Sequence, residues 1–495
     1  MNIVKTIMAA TALASLVAWG APAFAARDTL TLGVVLEPPH LDPTAGAAAA
    51  IDEVVYANVF EGLTRIGPSG EVLPALAASW DISEDGKVYT FHLRANVKFH
   101  DGTGFDADDV KFSLDRARAD DSVNAQKGLF AQIDTVEVVD PATVKVTLKQ
   151  PQGSFLYNMG WGDAVIVAPE SAETNKDKPV GTGPFRFDNW AKGSSITIVR
   201  NDDYWGDKVA LAKAEFRIIP DAAAAIPALL SGDVQCFPFM PVGDALAQIE
   251  ADPRFTVVIG ATEGETILST NNKKPPFDNL KVRQAIAHAL NREEIIAGNG
   301  SGLGTPIGTH FSPGNEAYVD LTGTYPYDPE KAKALLAAAG FPNGFKATLK
   351  LPPPAYARDG GQVVASQLRA VGIELELIPV EWADWLEQVF KNKDYDLTIV
   401  SHTEPNDIGI YARKDYYFNY DNPDFDKVMA DLDATSDQAK RNELYGQAQR
   451  IIAEDAVNGY MFQLAKVGVW DAKLEGMWHN APVQANDLTK VRWTE

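Results

Sequence analysis

The 495 residues carry 67 acidic against 44 basic side chains, a formal net charge of −23, and 46% of them are hydrophobic. So acidic a surface repels nucleic acid and anionic membranes, whose recognition needs basic patches, and nucleic acid is excluded as a partner. The length sets a soft expectation of roughly two to four domains.

In chain order, the first 25 residues stand apart. Lys5 gives a basic start, Ile7 to Trp19 are mostly apolar, and Ala23-Phe24-Ala25 has the small-x-small form of a cleavage site. This is the pattern of a secretory signal peptide. Lys5 is its only charged side chain, so cleavage after Ala25 takes the net charge from −23 to −24. No later stretch reaches the ~18 apolar residues of a membrane span. Cys236 is the only cysteine, which leaves no intramolecular disulfide and no lipid-anchored cysteine after the signal. The expectation is a soluble protein exported to a bacterial periplasm, with Cys236 a small buried apolar residue.

Strand signals follow at 29–36 (TLTLGVVL) and at 87–93 (KVYTFHL), where Tyr89, Phe91 and Leu93 share one face after an Asp85-Gly86 turn. TVEVVD, TVKVTL, SITIVR and EFRIIPD are further strands. Helices are announced by their caps. Asp106 with Asp109 forms a capping box that Phe105 and Val110 staple, and Asn291 with Glu294 repeats the box. Asp328-Pro329 opens a helix that Gly340 and Pro342 end. Strands and helices alternate throughout, so the chain is expected to be mixed α/β with more than one lobe and a ligand between lobes.

Enzymatic constellations are missing. No G-x-S-x-G, H-E-x-x-H or phosphate-binding G-x-x-x-x-G-K-[ST] stretch occurs, and the glycines of 298–308 fit no register of G-x-G-x-x-G. The seven histidines show no paired metal-ligand spacing, so neither a metal nor a cofactor is expected.

Residues 74–114 (PALAASWDISEDGKVYTFHLRANVKFHDGTGFDADDVKFSL), 282–295 (VRQAIAHALNREEI) and 327–345 (YDPEKAKALLAAAGFPNGF) carry a specific likeness. With YANVFEGL (56–63), GTGPFRF (181–187) and RNDDYWG (200–206), they resemble the bacterial extracellular solute-binding proteins of family 5, the periplasmic receptors of peptide, nickel and related ABC importers. The resemblance covers nearly the whole chain after the signal. It implies a two-lobed periplasmic binding protein fold of the large, dipeptide-binding-protein-like class: lobe one at 26–270 with an inserted subdomain about 61–180, lobe two at 271–464, and a C-terminal return at 465–495. The first crossover would fall near 268–279. It also implies a monomer that captures a small-molecule solute and docks on inner-membrane permease subunits. In this reading His100 and Asp101 are scaffold, despite their invitation to acid–base or metal chemistry.

The resemblance also implies a ligand set. In peptide-binding relatives an acid in the late loop takes the ligand ammonium within a Trp-x-x-x-Asp, Asp-Pro frame. Here Ser401 replaces the tryptophan, Glu404 stands near the acid, and Asp407-Ile408 replaces Asp-Pro, with His402, Tyr411 and Arg413 alongside. The relatives' carboxylate-binding arginine maps to 351–361, where Tyr356 is kept and Arg358 sits a few residues late, leaving Arg413 as a substitute. Nickel-binding relatives place a histidine where Gly409 stands, and His402 is displaced from it. Trp382 matches a cleft tryptophan. Glu37 and His40 follow the first strand toward the cleft mouth, Asn158 and Trp161 offer hydrogen bonding and stacking, and Asn271 lies at the expected crossover. The favoured ligand is a short peptide, an opine or another amino-acid-like solute. A sugar receptor or nickel-chelate receptor on the same scaffold, or an exported hydrolase, are the alternatives.

Overall fold

The computed structural model describes residues 27–46, 48–240, 246–404, 406–435 and 437–494. The stretch read as a signal peptide lies outside them. Among the described residues, no helix is long and apolar enough to cross a membrane.

One 11-stranded sheet runs through both lobes. At its centre two long strands, Phe255–Thr270 and Asn458–Asp471, lie antiparallel. On one side Leu397–His402, Phe345–Leu351 and Ile373–Pro379 build the second lobe. On the other side Cys236–Phe237, Thr29–Val34, Lys213–Ile218, Ser195–Arg200 and Phe185–Ala191 build the first. The expected strands are therefore present, with the first ending at Val34 rather than residue 36.

The ladder between the two long strands is interrupted between Ala261 and Glu265. The expected crossover near 268–279 follows a few residues later, where the strand Phe255–Thr270 ends. There the buried Asn271 donates its Nδ2 to the carbonyls of Lys393 (3.0 Å) and Tyr395 (3.3 Å).

A separate four-stranded antiparallel sheet, in the order Ala77–Ile82, Val88–Leu93, Thr143–Leu148, Ile133–Asp140, carries its own core. Tyr89, Phe91 and Leu93 point into that core with Val144, Val146 and Leu148, as their alternation requires. The helix Ala107–Arg118 closes it. Both halves of the Asp106/Asp109 capping box form, and Phe105 and Val110 are buried with the same cluster. The Asn291 box forms only by half. Asn291 Oδ1 accepts from the Glu294 amide, while the Asn291 amide donates to Gln367 Oε1 and Gln367 Nε2 donates to the Glu294 carboxylate. The helix Pro329–Ala338 ends as expected, with Gly340 at φ +95°.

The motifs that carry the resemblance meet in one structural knot. A Cβ on Gly181 would lie 2.0 Å from the Val59 carbonyl oxygen and one on Gly183 2.4 Å from that of Asn58, so only glycine lets these backbones touch. His100 Nδ1 accepts from the Gly181 amide (3.2 Å) and its Nε2–H donates to the Gly183 carbonyl (2.9 Å). That arrangement requires the neutral ring, and burial accordingly lowers the His100 pKa to about 4. Glu61, also buried, accepts from Thr182, Tyr204 and Trp205. His100 is thus fully committed to the scaffold. Cys236 is buried on the strand between Leu32 and Trp470, and burial pushes its thiol pKa up, which makes it inert.

Candidate ligand-binding site

Between the lobes lies a cleft of about 1430 Å³. The first lobe contributes Trp80, Gln152, Tyr157, Asn158 and Trp161, and the ladder break contributes Ala261 and Glu263. The second lobe contributes Asn315, Glu404, Asp407, Arg413, Tyr416 and Arg441. The lobes touch across it. A Cβ on Gly153 of the first lobe would lie 1.9 Å from Arg441 Nη1 and 2.1 Å from the Thr435 carbonyl oxygen of the second.

The cleft is acidic. Among the described residues, Glu71, Glu263, Glu316, Glu404, Asp407 and Asp433 line it against two arginines. Arg441 is buried and spends its guanidinium on the Leu432 and Thr435 carbonyls and the Tyr445 hydroxyl. Arg413 is exposed, rests over the Tyr416 ring at 4.9 Å, and approaches Asp415 only to 3.8 Å. It is the cleft cation most available to a ligand.

The late loop is pinned at Asp407. His310 Nε2–H donates to its Oδ1 (2.8 Å), and His402 Nδ1 lies 3.3 Å from its Oδ2. Each ring is held from behind, His310 Nδ1 by the Tyr411 hydroxyl (3.1 Å) and His402 Nε2 by the Tyr417 hydroxyl (2.9 Å). Asn458 Nδ2 donates in turn to Tyr411 (2.9 Å). Burial works against the Asp407 charge, but its two histidine partners outweigh it and hold the carboxyl below its usual range. Burial lowers the His310 pKa, against the pull of the Asp407 carboxylate. Two further carboxyls lie in the same electrostatic neighbourhood. Burial first, and then the Asp407 charge, raise Glu263 to about 7, and the same causes raise Glu265 well above its ordinary value.

Of the residues singled out in the sequence, the structure brings Glu404, Asp407, Arg413, Asn158 and Trp161 to the cleft wall. Trp161 Nε1 is buried there without a hydrogen-bond partner, a donor free for a ligand. His402 and Tyr411 stand behind the wall as the supports of Asp407. The others lie elsewhere. Glu37 Oε1 accepts from Trp190 Nε1 (3.0 Å) and the Gly193 amide (2.8 Å) at an exposed turn, and His40 Nδ1 accepts from the Asp42 amide within its own loop. Arg358 pairs with Glu381 at 3.1 Å. Tyr356 accepts from the Ser401 amide (3.3 Å) behind the late strand. Trp382 is 41% exposed and packs edge-on against Trp385 outside the cleft. Asn271 pins the strand end as described. Glu37, His40, Arg358 and Asn271 are thus engaged by protein partners.

Sequence reasoning missed Glu263, Glu265, His310, Tyr157 and Arg441. No local spacing joins them. Strand pairing opposes Glu265 to His402, and the loop before the helix Pro329–Ala338 brings His310 to a residue 97 positions away.

The fold is that of the two-lobed periplasmic peptide-binding proteins. The family pattern described as "Bacterial extracellular solute-binding proteins, family 5 Middle" matches residues 71–420, and the chain belongs to that family. It is 31% identical to the heme-binding protein A of Haemophilus influenzae over 432 residues, 78% of each chain. It is 32% identical to the dipeptide-binding protein of Escherichia coli over 439 residues, 79% of this chain and 81% of that one. Among solved structures it is similar to the ABC transporter-associated periplasmic binding protein DppA of Helicobacter pylori in complex with the peptide STSA. That similarity has a TM-score of 0.79 at 29% identity and covers 94% of this chain and 98% of the other.

Proposed function

We propose that this chain is the capture component of an ABC importer: a periplasmic monomer, released from its signal peptide, that encloses a small zwitterionic or amine-bearing solute of the peptide or opine type and delivers it to membrane permease subunits. The single observation that carries the ligand class is the acidity of the cleft, six acidic side chains against two arginines, of which Arg413 alone is largely uncommitted. Charges buried on closure must be paired, so this wall suits a ligand with an ammonium near Glu404 and a carboxylate near Arg413. Similar identity to relatives whose names state heme and dipeptides leaves the choice of ligand to these side chains.

Ligand that touches both walls favours the closed arrangement, which is a population shift rather than chemistry. The register shift between Ala261 and Glu265, where the two long strands leave their regular ladder, is the flexing point of that closure. In this reading the role is retention, not turnover. Calorimetry against a panel of dipeptides, opines, uncharged sugars and decarboxylated analogues tests this. Zwitterions should bind, and their decarboxylated forms should bind far worse. Equal binding of the decarboxylated forms removes Arg413 from the site, and preference for uncharged sugars overturns the ligand class.

A further inference from the structure

We propose that His310, His402 and Asp407 form a binding site for a divalent first-row transition ion such as Zn2+ or Ni2+, ligated directly by the protein and open to the cleft. One ligand atom from each of the three lies within 4.8 Å of the others, and the nitrogen–oxygen contacts to Asp407 are 2.8 and 3.3 Å. Tetrahedral ligands at about 2.1 Å from an ion stand about 3.4 Å apart, so an ion needs only small outward shifts of these side chains. Two imidazoles and a carboxylate are the donor set that zinc, nickel and copper accept.

The surroundings are those of a metal site rather than of a mere loop clasp. Each histidine offers one nitrogen to the centre, and a tyrosine hydroxyl orients the other. A hydroxyl both donates and accepts, so each ring can pass its proton to the rear nitrogen and still keep its tyrosine partner while the front nitrogen turns to the ion. A second, independent feature points the same way. Glu265 is only 3% exposed, and its Oε2 has no hydrogen-bond partner. It stands directly opposite His402 in the strand ladder, on the same sheet face, and Asp407 is its strongest charged neighbour. A buried polar oxygen left without a partner is costly, and a cation beside it offsets that cost. Asp407 lines the cleft, so an ion has an entry path from the space in which a ligand would lie.

The test uses tag-free protein stripped with a chelator, without solute, so that failure leaves the solute-capture reading untouched. Co2+ titration should give visible d–d bands that saturate at one equivalent. Crystals soaked in Zn2+ should show an anomalous peak between the three side chains. His310→Gln and Asp407→Asn should each lower affinity at least ~100-fold, and Tyr417→Phe, which loosens only the rear support, about 10-fold. Absence of the bands, an anomalous peak elsewhere, or bands unchanged in His310→Gln overturns the proposal. The anomalous peak is read on the unaltered protein, so it decides the matter even if a variant fails to fold.

Discussion

Gly153→Ala tests closure with a single methyl group. The added Cβ would lie 2.1 Å from the Thr435 carbonyl oxygen and 1.9 Å from Arg441 Nη1. The arginine tip can swing aside, but the carbonyl is backbone, and the contact is about 1 Å too short for carbon against oxygen. The lobes must then separate locally or the 435 segment must shift, at an overpacking cost of ~1–3 kcal/mol. An open form that parts Gly153 from Thr435 and Arg441 relieves the clash, so the penalty is expected to fall on the closed, loaded state. Affinity for the solute should fall by about 5- to 150-fold, while the ligand-free protein keeps its Tm. Calorimetry with paired thermal melts reads both. Unchanged affinity would show that the lobes do not meet at Gly153 when loaded, and the closure argument would fail. A lowered ligand-free Tm with unchanged affinity would place the contact in the resting fold instead.

Four other outcomes are expected. Glu404→Ala should weaken binding of an amine-bearing solute by ~2–5 kcal/mol if its carboxylate pairs with a ligand ammonium buried on closure; calorimetry showing the same affinity removes that role. Arg413→Gln should lower affinity for carboxylate ligands and leave their decarboxylated analogues unaffected, which the same titrations check. His100→Ala should cost ~2–4 kcal/mol in denaturant unfolding, from two lost hydrogen bonds and the orphaned backbone groups, with no change in solute affinity; a loss of affinity would instead connect the scaffold knot to the cleft. The fourth concerns pH. Glu263 is raised to about 7 in the fold, above the ordinary carboxyl value of 4.5. Its contribution to stability is therefore complete below about pH 4.5 and is lost as pH climbs through 7. Glu263→Gln should flatten that part of the stability–pH curve, and an unaltered curve would contradict the raised value.

Much of the scaffold was legible because it rests on local chemistry. The Tyr89/Phe91/Leu93 alternation, the Asp106 box and the Gly340 stop each depend on residues within a few positions of one another, and each formed. The Asn291 box formed only in part because Gln367, 76 residues away, competes for both of its partners. The site was legible in two short stretches, the late loop with Glu404, Asp407 and Arg413 and the first-lobe segment with Asn158 and Trp161. Glu37, Arg358 and Trp382 have the right chemistry in plausible places, yet protein partners 153, 23 and 3 residues away absorb them. The His310–Asp407–His402 cluster arises from strand pairing and a distant loop, so no spacing rule could find it.

The central claim is that the cleft holds an amine-bearing zwitterion. Mass spectrometry of the small molecule released on denaturing the exported, natively purified protein tests it most directly. A peptide- or opine-like solute at about one equivalent, lost in Gly153→Ala and Glu404→Ala, is the predicted result. An uncharged sugar, or a solute retained equally by both variants, would contradict the account.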